Sequence, residues 1–141
     1  MEAKELMKYD WVMNDRIGVC QVIGLPREVK DYPIEITVMY PAEGFTEIRN
    51  IGEHYIQPVE LTQEILEENG FEKIEGCVTA EAYILDKGEW GEANLIIRRF
   101  DFNESFVICT PKDQTARISI GYVHELQHAL RLAGIKKEIV L

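Results

Sequence analysis

Cysteine is scarce in this chain of 141 residues: Cys20, Cys77 and Cys109 are far apart and odd in number. They fit no metal-binding spacing and no paired disulfide framework. The expectation is a reducing cytoplasm, with each thiol a small buried hydrophobe. Long apolar runs are missing too. None approaches the about 20 residues needed to span a bilayer. Met1-Glu2-Ala3-Lys4-Glu5 lacks the basic region and apolar core of a secretory signal. A cytoplasmic protein with no membrane partner is expected.

Basic residues are in deficit, 15 Lys and Arg against 25 Asp and Glu, for a net charge of −10. The deficit is uneven. Residues 1–75 carry 7 basic against 16 acidic side chains, and residues 76–141 carry 8 against 9. Such a field repels phosphate backbones, and Arg98-Arg99 and Lys136-Lys137 are too short to form a basic patch. No nucleic-acid partner is expected. Tyr83, Trp90, Phe100, Phe102 and Phe106 accordingly read as core or sheet cover, not as a base-stacking platform. Phosphate-loop and nucleophile-elbow signatures are also absent: Gly18 and Gly24 are followed by no Gly-Lys-Ser/Thr, and no Gly-x-Ser-x-Gly occurs.

Short strands punctuated by turn chemistry are what the chain does have. Asp10–Met13, Ile17–Leu25, Ile34–Tyr40, Phe45–Ile51 and His54–Val59 read as five strands, separated by Asn14-Asp15-Arg16, a charged loop at Pro26–Pro33, Pro41–Gly44 and Gly52. Five strands in about sixty residues predict a small closed or nearly closed SH3-like β-barrel over residues 1–60, with a meander open at one edge as the alternative. A short linking helix follows. Thr62 is its N-cap, Glu64 lies in its first turn, Asn69-Gly70 stops it, and Phe71 folds back on Leu66. Cys77–Leu85, Asn94–Phe100, Ser105–Thr110 and Ala116–Ile120 then predict a four-stranded antiparallel meander, with a hairpin turn at Asp86-Lys87-Gly88 and a loop at Pro111–Gln114. A C-terminal helix covers it, and Glu138–Leu141 adds an edge strand or packs beneath. The fold class expected is α+β, with units 1–60 and 61–141.

The C-terminal helix holds the one stretch with the form of a catalytic motif, His124-Glu125-Leu126-Gln127-His128. Val123, Leu126, Leu130 and Ala133 form an apolar stripe, and Gly134 stops the helix. At about 100° per residue, His124 and His128 share a face turned away from that stripe. Two imidazoles at this spacing can hold one zinc ion, with Glu125 as general base toward a metal-bound water. A catalytic zinc takes a third protein ligand. The extended form with a glycine and a third histidine downstream is absent, because those positions hold Arg131 and Gly134. Only His54 and Glu138 can be named as a third ligand.

The run from Gln57 to Lys73, with Leu61-Thr62-Gln63-Glu64-Ile65-Leu66-Glu67-Glu68-Asn69-Gly70-Phe71 at its centre, resembles a signature of short proteins from Bacteroides-type bacteria and their phages and mobile elements. The opening Asp10-Trp11-Val12 and the ending Ile120–Gln127 are similar as well. The resemblance implies no activity. In similar proteins the ending often reads His-Gln-Leu-Gln-Asn, which makes His128 a chance completion of the motif. The expectation is a non-enzymatic protein-interaction module of phage or mobile-element type, with an unknown protein partner and no cofactor. The alternative is a zinc-dependent metallohydrolase or peptidase using His124, His128 and Glu125.

Overall fold

The computed structural model describes residues 1–25, 34–74, 80–87, 93–100, 105–109 and 117–141. The loop expected at Pro26–Pro33, the strand start at Cys77, the turn at Gly88 and Trp90, Asp101–Glu104 and Pro111–Gln114 lie outside these residues, as do the side chains of Phe100 and Cys109. The chain divides into two compact units. One comprises Met1–Val59, Tyr122–Ala129 and Leu141, and the other Glu60–Gly121 and Leu130–Val140.

In the first unit, β1 (Trp11–Asn14), β2 (Gly18–Gly24), β3 (Glu35–Ala42), β4 (Phe45–Gly52) and β5 (Gln57–Pro58) form one antiparallel sheet in the order β4-β3-β2-β1-β5. Strict alternation writes this sheet. Val12 and Asn14 on β1, Cys20 and Val22 on β2, and Ile36, Val38 and Tyr40 on β3 point inward, while their neighbours are less buried. With Ile56 they make the core, joined by Ala3 and Leu6 from a 3₁₀ turn at Ala3–Glu5. Among the described residues no ladder joins β4 to β5, so the sheet is open in its hydrogen bonding. The fold is α+β with antiparallel sheets, and of the closed or nearly closed barrel expected, closure is not found among the described residues.

In the second unit, β6 (Glu72–Ile74), β7 (Ala80–Lys87), β8 (Ala93–Phe100), β9 (Phe106–Cys109) and β10 (Arg117–Ile120) form an antiparallel meander in chain order. Its core includes Tyr83, Leu85, Leu95, Ile97, Phe106 and Ile108, with Tyr83 and Phe106 edge-to-face at 6.3 Å. Strand β6 was not anticipated; three residues after a helix stop carry too little periodicity to announce a strand.

Both helices end by the same device. In α1 (Gln63–Glu68), the Thr62 hydroxyl accepts from the Ile65 N–H at 3.3 Å. At its other end Gly70 takes φ +85°, the Phe71 N–H donates to the Leu66 carbonyl and the Gly70 N–H donates to that of Glu67. In α2 (Val123–Leu132), Gly134 takes φ +72°, with Ile135 N–H to Leu130 O and Gly134 N–H to Arg131 O. These are paired Schellman bonds, and Phe71 and Leu66, joined by one of them, are both buried. Helix α2 is divided between the units: Tyr122–Ala129 belongs with the first and Leu130 onward with the second, whereas the sequence reading placed it wholly in 61–141.

Candidate functional site

The motif helix packs on the N-terminal approach to β1, and that approach is unusual in its backbone. Tyr9 sits in the left-handed region at φ 75°, a conformation that costs a residue with a Cβ about 1 kcal/mol. Its N–H donates to the Val22 carbonyl at 2.6 Å. Its own carbonyl accepts from Gln21 Nε2 at 3.0 Å and from Gln127 Nε2 at 2.9 Å. The turn carries Asp10 inward, where it is fully buried.

A buried carboxylate has to be met by donors, or removing it from water costs several kcal/mol. Asp10 Oδ2 accepts from the Met7 N–H at 2.7 Å and from His128 Nε2 at 2.6 Å. The carboxylate oxygen is the acceptor, which places the ring proton on Nε2. The contact spans 118 residues of sequence. Gln127 makes a second link of the same kind. Its Oε1 accepts from the Trp11 N–H at 3.0 Å while its Nε2 serves the Tyr9 carbonyl. One side-chain amide thus answers the two backbone groups that a neighbouring strand residue would otherwise pair.

The remaining members of the motif are engaged as well. Leu126 is fully buried. Glu125 Oε2 accepts from the Tyr122 N–H at 3.2 Å, the returning half of a capping box at the first turn of α2. His124 is only 6% exposed, its ring stacked on Tyr122 at 5.9 Å and edge-on to His128 at 5.6 Å. The expectation that both histidines occupy an outward face is therefore corrected: His124 is buried and His128 half-buried. The apolar stripe was assigned rightly for Val123, Leu126 and Leu130, but the buried arc is wider and takes in His124 and Gln127.

Burial is the main reason the His124 imidazole is held below its ordinary pKa of 6.5. His128 acts in the same direction, and the carboxylates of Glu125, Asp10 and Glu5 oppose it. His124 Nδ1 is buried with no hydrogen-bond partner among the described residues. Cys20 is also buried, and desolvation pushes its thiol up to about 11, so it is no nucleophile at neutral pH.

As a metal centre the arrangement offers little. Among the described residues no group of three or more His, Cys, Asp or Glu side chains could hold a metal ion. His128 Nε2 is held by Asp10, and Glu125 is turned to the helix N-terminus. His54, one candidate third ligand, is exposed in a 3₁₀ turn at Glu53–Tyr55. Glu138, the other, is exposed in the tail. The sequence reading missed Asp10 and Gln127. An aspartate directly before an apolar strand start was a faint signal of the first; nothing local marked the second.

No family model matches the chain, and neither curated proteins nor solved structures yield a match. Fold and site together define a class only: an α+β chain of two antiparallel sheets in which the motif helix is fastened to the start of the first sheet. Among the described residues no helix is long and apolar enough to cross a membrane.

Two outcomes are expected from this geometry. Because the folded-state pKa of His124 lies below 6.5, the unfolded chain binds the extra proton first. Stability is therefore full above pH 6.5 and falls as pH drops from 6.5 through the depressed value, by at most about 1.4 kcal/mol per pH unit for one proton. Urea unfolding at several pH values should show His124→Gln losing this component, and identical pH profiles would contradict it. Zinc in protein purified without a histidine tag should fall far below one equivalent and be the same in His128→Ala. Near-stoichiometric zinc lost in that variant would restore the hydrolase reading and place Glu125→Gln under assay.

Proposed function

We propose that this protein is a non-enzymatic protein-interaction module, cytoplasmic and of phage or mobile-element type, whose first unit is SH3-like. The strand order β4-β3-β2-β1-β5, with a 3₁₀ turn leading into β5, supports the SH3-like reading. The engagement of all five motif residues inside the first unit favours a structural role for the helix over a catalytic one.

The observation that carries the proposal is the edge strand β4. It pairs with β3 along its whole length, Phe45 to Gly52, and has no strand on its other side among the described residues. Edge strands leave unpaired backbone donors and acceptors, and proteins ordinarily blunt them. This one displays Phe45 at 62% and Ile48 at 61% exposure. Three residues apart, they project on opposite sides of the strand. Addition of an extended partner segment answers the backbone groups, and both side chains then gain cover. The acidic excess of residues 1–75 selects a partner surface of net positive charge.

Ile48→Lys tests this. A charge on an exposed edge blocks strand addition without entering the core. With wild type and Ile48→Lys as matched baits against the proteins of the host cell, a basic partner should be retained by wild type and reduced about tenfold or more by the variant. Equal retention by both baits would contradict the reading.

A further inference from the structure

We infer that the pocket of about 600 Å³ between the β1–β2 turn and the end of β4 is an anchoring site for a carboxylate set beside an apolar side chain, presented by an extended segment of the protein partner. The inference rests on the interaction reading above. The volume falls within the roughly 300–1,000 Å³ of ordinary ligand sites. Its chemistry comes from Arg16, Ile17, Arg49, Asn50, Ile51 and Tyr55.

The walls are built. Asn14 is only 8% exposed, and both ends of its amide shape the pocket. Oδ1 accepts from the N–H groups of Arg16 and Ile17 at 2.9 and 3.3 Å, which sets the turn. Nδ2 donates to the Tyr55 carbonyl at 2.8 Å, tying that turn to the 3₁₀ segment opposite. Arg16 and Tyr55 are therefore presented by backbone that is already ordered, so little of the binding energy goes into ordering it.

The polar groups point to an anion. Among the described residues no carboxylate pairs with the Arg16 guanidinium. Arg49 meets Glu47 at 3.3 Å, but both side chains are substantially exposed, and such a pair is weak enough to exchange for a better one. A guanidinium fork binds carboxylate and phosphate alike. The net −9 of residues 1–75 and the presence of Asp15 in the wall penalise a dianion more than a monoanion, which selects the carboxylate. Ile17, Ile51 and the Tyr55 ring, 72% exposed, supply the apolar complement. Arg49 to Gly52 belong both to the end of β4 and to the pocket wall, so the pocket continues the edge strand.

The test uses the full chain labelled with ¹⁵N and a capped five-residue peptide of lysine, leucine, glutamate, leucine and lysine. Matched peptides carry glutamine or phosphoserine in the centre, and free glutamate is a further arm. The glutamate peptide should shift the Arg16, Ile17, Asn50 and Tyr55 amides and bind about tenfold more tightly than the glutamine and phosphoserine peptides. Arg16→Gln, in an exposed turn, should remove that preference, and Arg49→Gln should reduce it. Free glutamate should not compete at equal concentration; if it matches the peptide, the ligand is a small carboxylate and the segment proposal falls. Equal binding of glutamate and glutamine peptides, with shifts confined to Phe45–Ile48, would overturn the pocket and leave the edge-strand reading standing. Absence of shifts up to about 1 mM peptide would also overturn it, and the matched-bait experiment would then decide the edge-strand reading separately.

Discussion

A carboxylate with no access to water fixes the arrangement of the first unit. Asp10 is 0% exposed, and it sits immediately before β1. Removing such a group from water is tolerable only when donors converge on it. One donor is local, the Met7 N–H, and another arrives from the far end of the chain in His128. The left-handed Tyr9 follows from this requirement, because that conformation turns Asp10 inward while leaving the Tyr9 carbonyl open to two side-chain amides. Gln127, one residue before His128, completes the attachment by gripping Tyr9 and Trp11. The helix could not carry both residues inward without also burying His124, and the depressed imidazole pKa is the consequence.

The second unit solves a similar problem with similar chemistry. Asn69, at the end of α1, is 5% exposed. Its Nδ2 donates to the Ile65 carbonyl at 2.8 Å and the Val140 carbonyl at 3.0 Å, and its Oδ1 accepts from the Val140 N–H at 2.7 Å. Of the two expectations for the tail, an edge strand does not form over Glu138–Leu141, while Ile139 is buried and the Asn69 amide holds the Val140 backbone. Gln127 and Asn69 each stand in for a strand neighbour where no strand is available. Each answers backbone groups of a segment near one end of the chain with a side-chain amide.

What was readable in the sequence was what is encoded locally. Alternation wrote the strands of both sheets except the three-residue β6, turn residues placed the breaks, and Thr62, Gly70 and Gly134 marked helix ends by chemistry acting over four or five residues. Burial of Tyr83 and Phe106 also followed from pattern. The same local logic failed where partners are remote. Nothing near Gln127 indicates that its amide meets backbone 116 residues away, and nothing near Asn69 indicates Val140. The spacing of His124 and His128 was legible, but their surroundings were not. Helical periodicity assigned them to the outer face because it counts apolar side chains. Here a histidine and a glutamine widen the buried arc. The expected division near residue 60 lies beside the observed one, but the division of α2 was hidden, since a helix divided between two compact bodies still reads as one periodic segment.

A sequence with the form of a zinc-peptidase helix thus fastens the C-terminal helix to the start of the first strand, and the interaction role proposed for the open edge and its adjoining pocket is separate from it. The coupling between Asp10 and His128 tests that account most directly. In a double-mutant cycle with Asp10→Ala, His128→Ala and the pair, measured by urea unfolding at pH 7.5, the account predicts a favourable coupling of about 2 kcal/mol, because His128→Ala takes one donor from a fully buried carboxylate and Asp10→Ala takes the acceptor from a half-buried ring nitrogen. Additive effects of the two changes would contradict it and return the histidines to the search for a catalytic role.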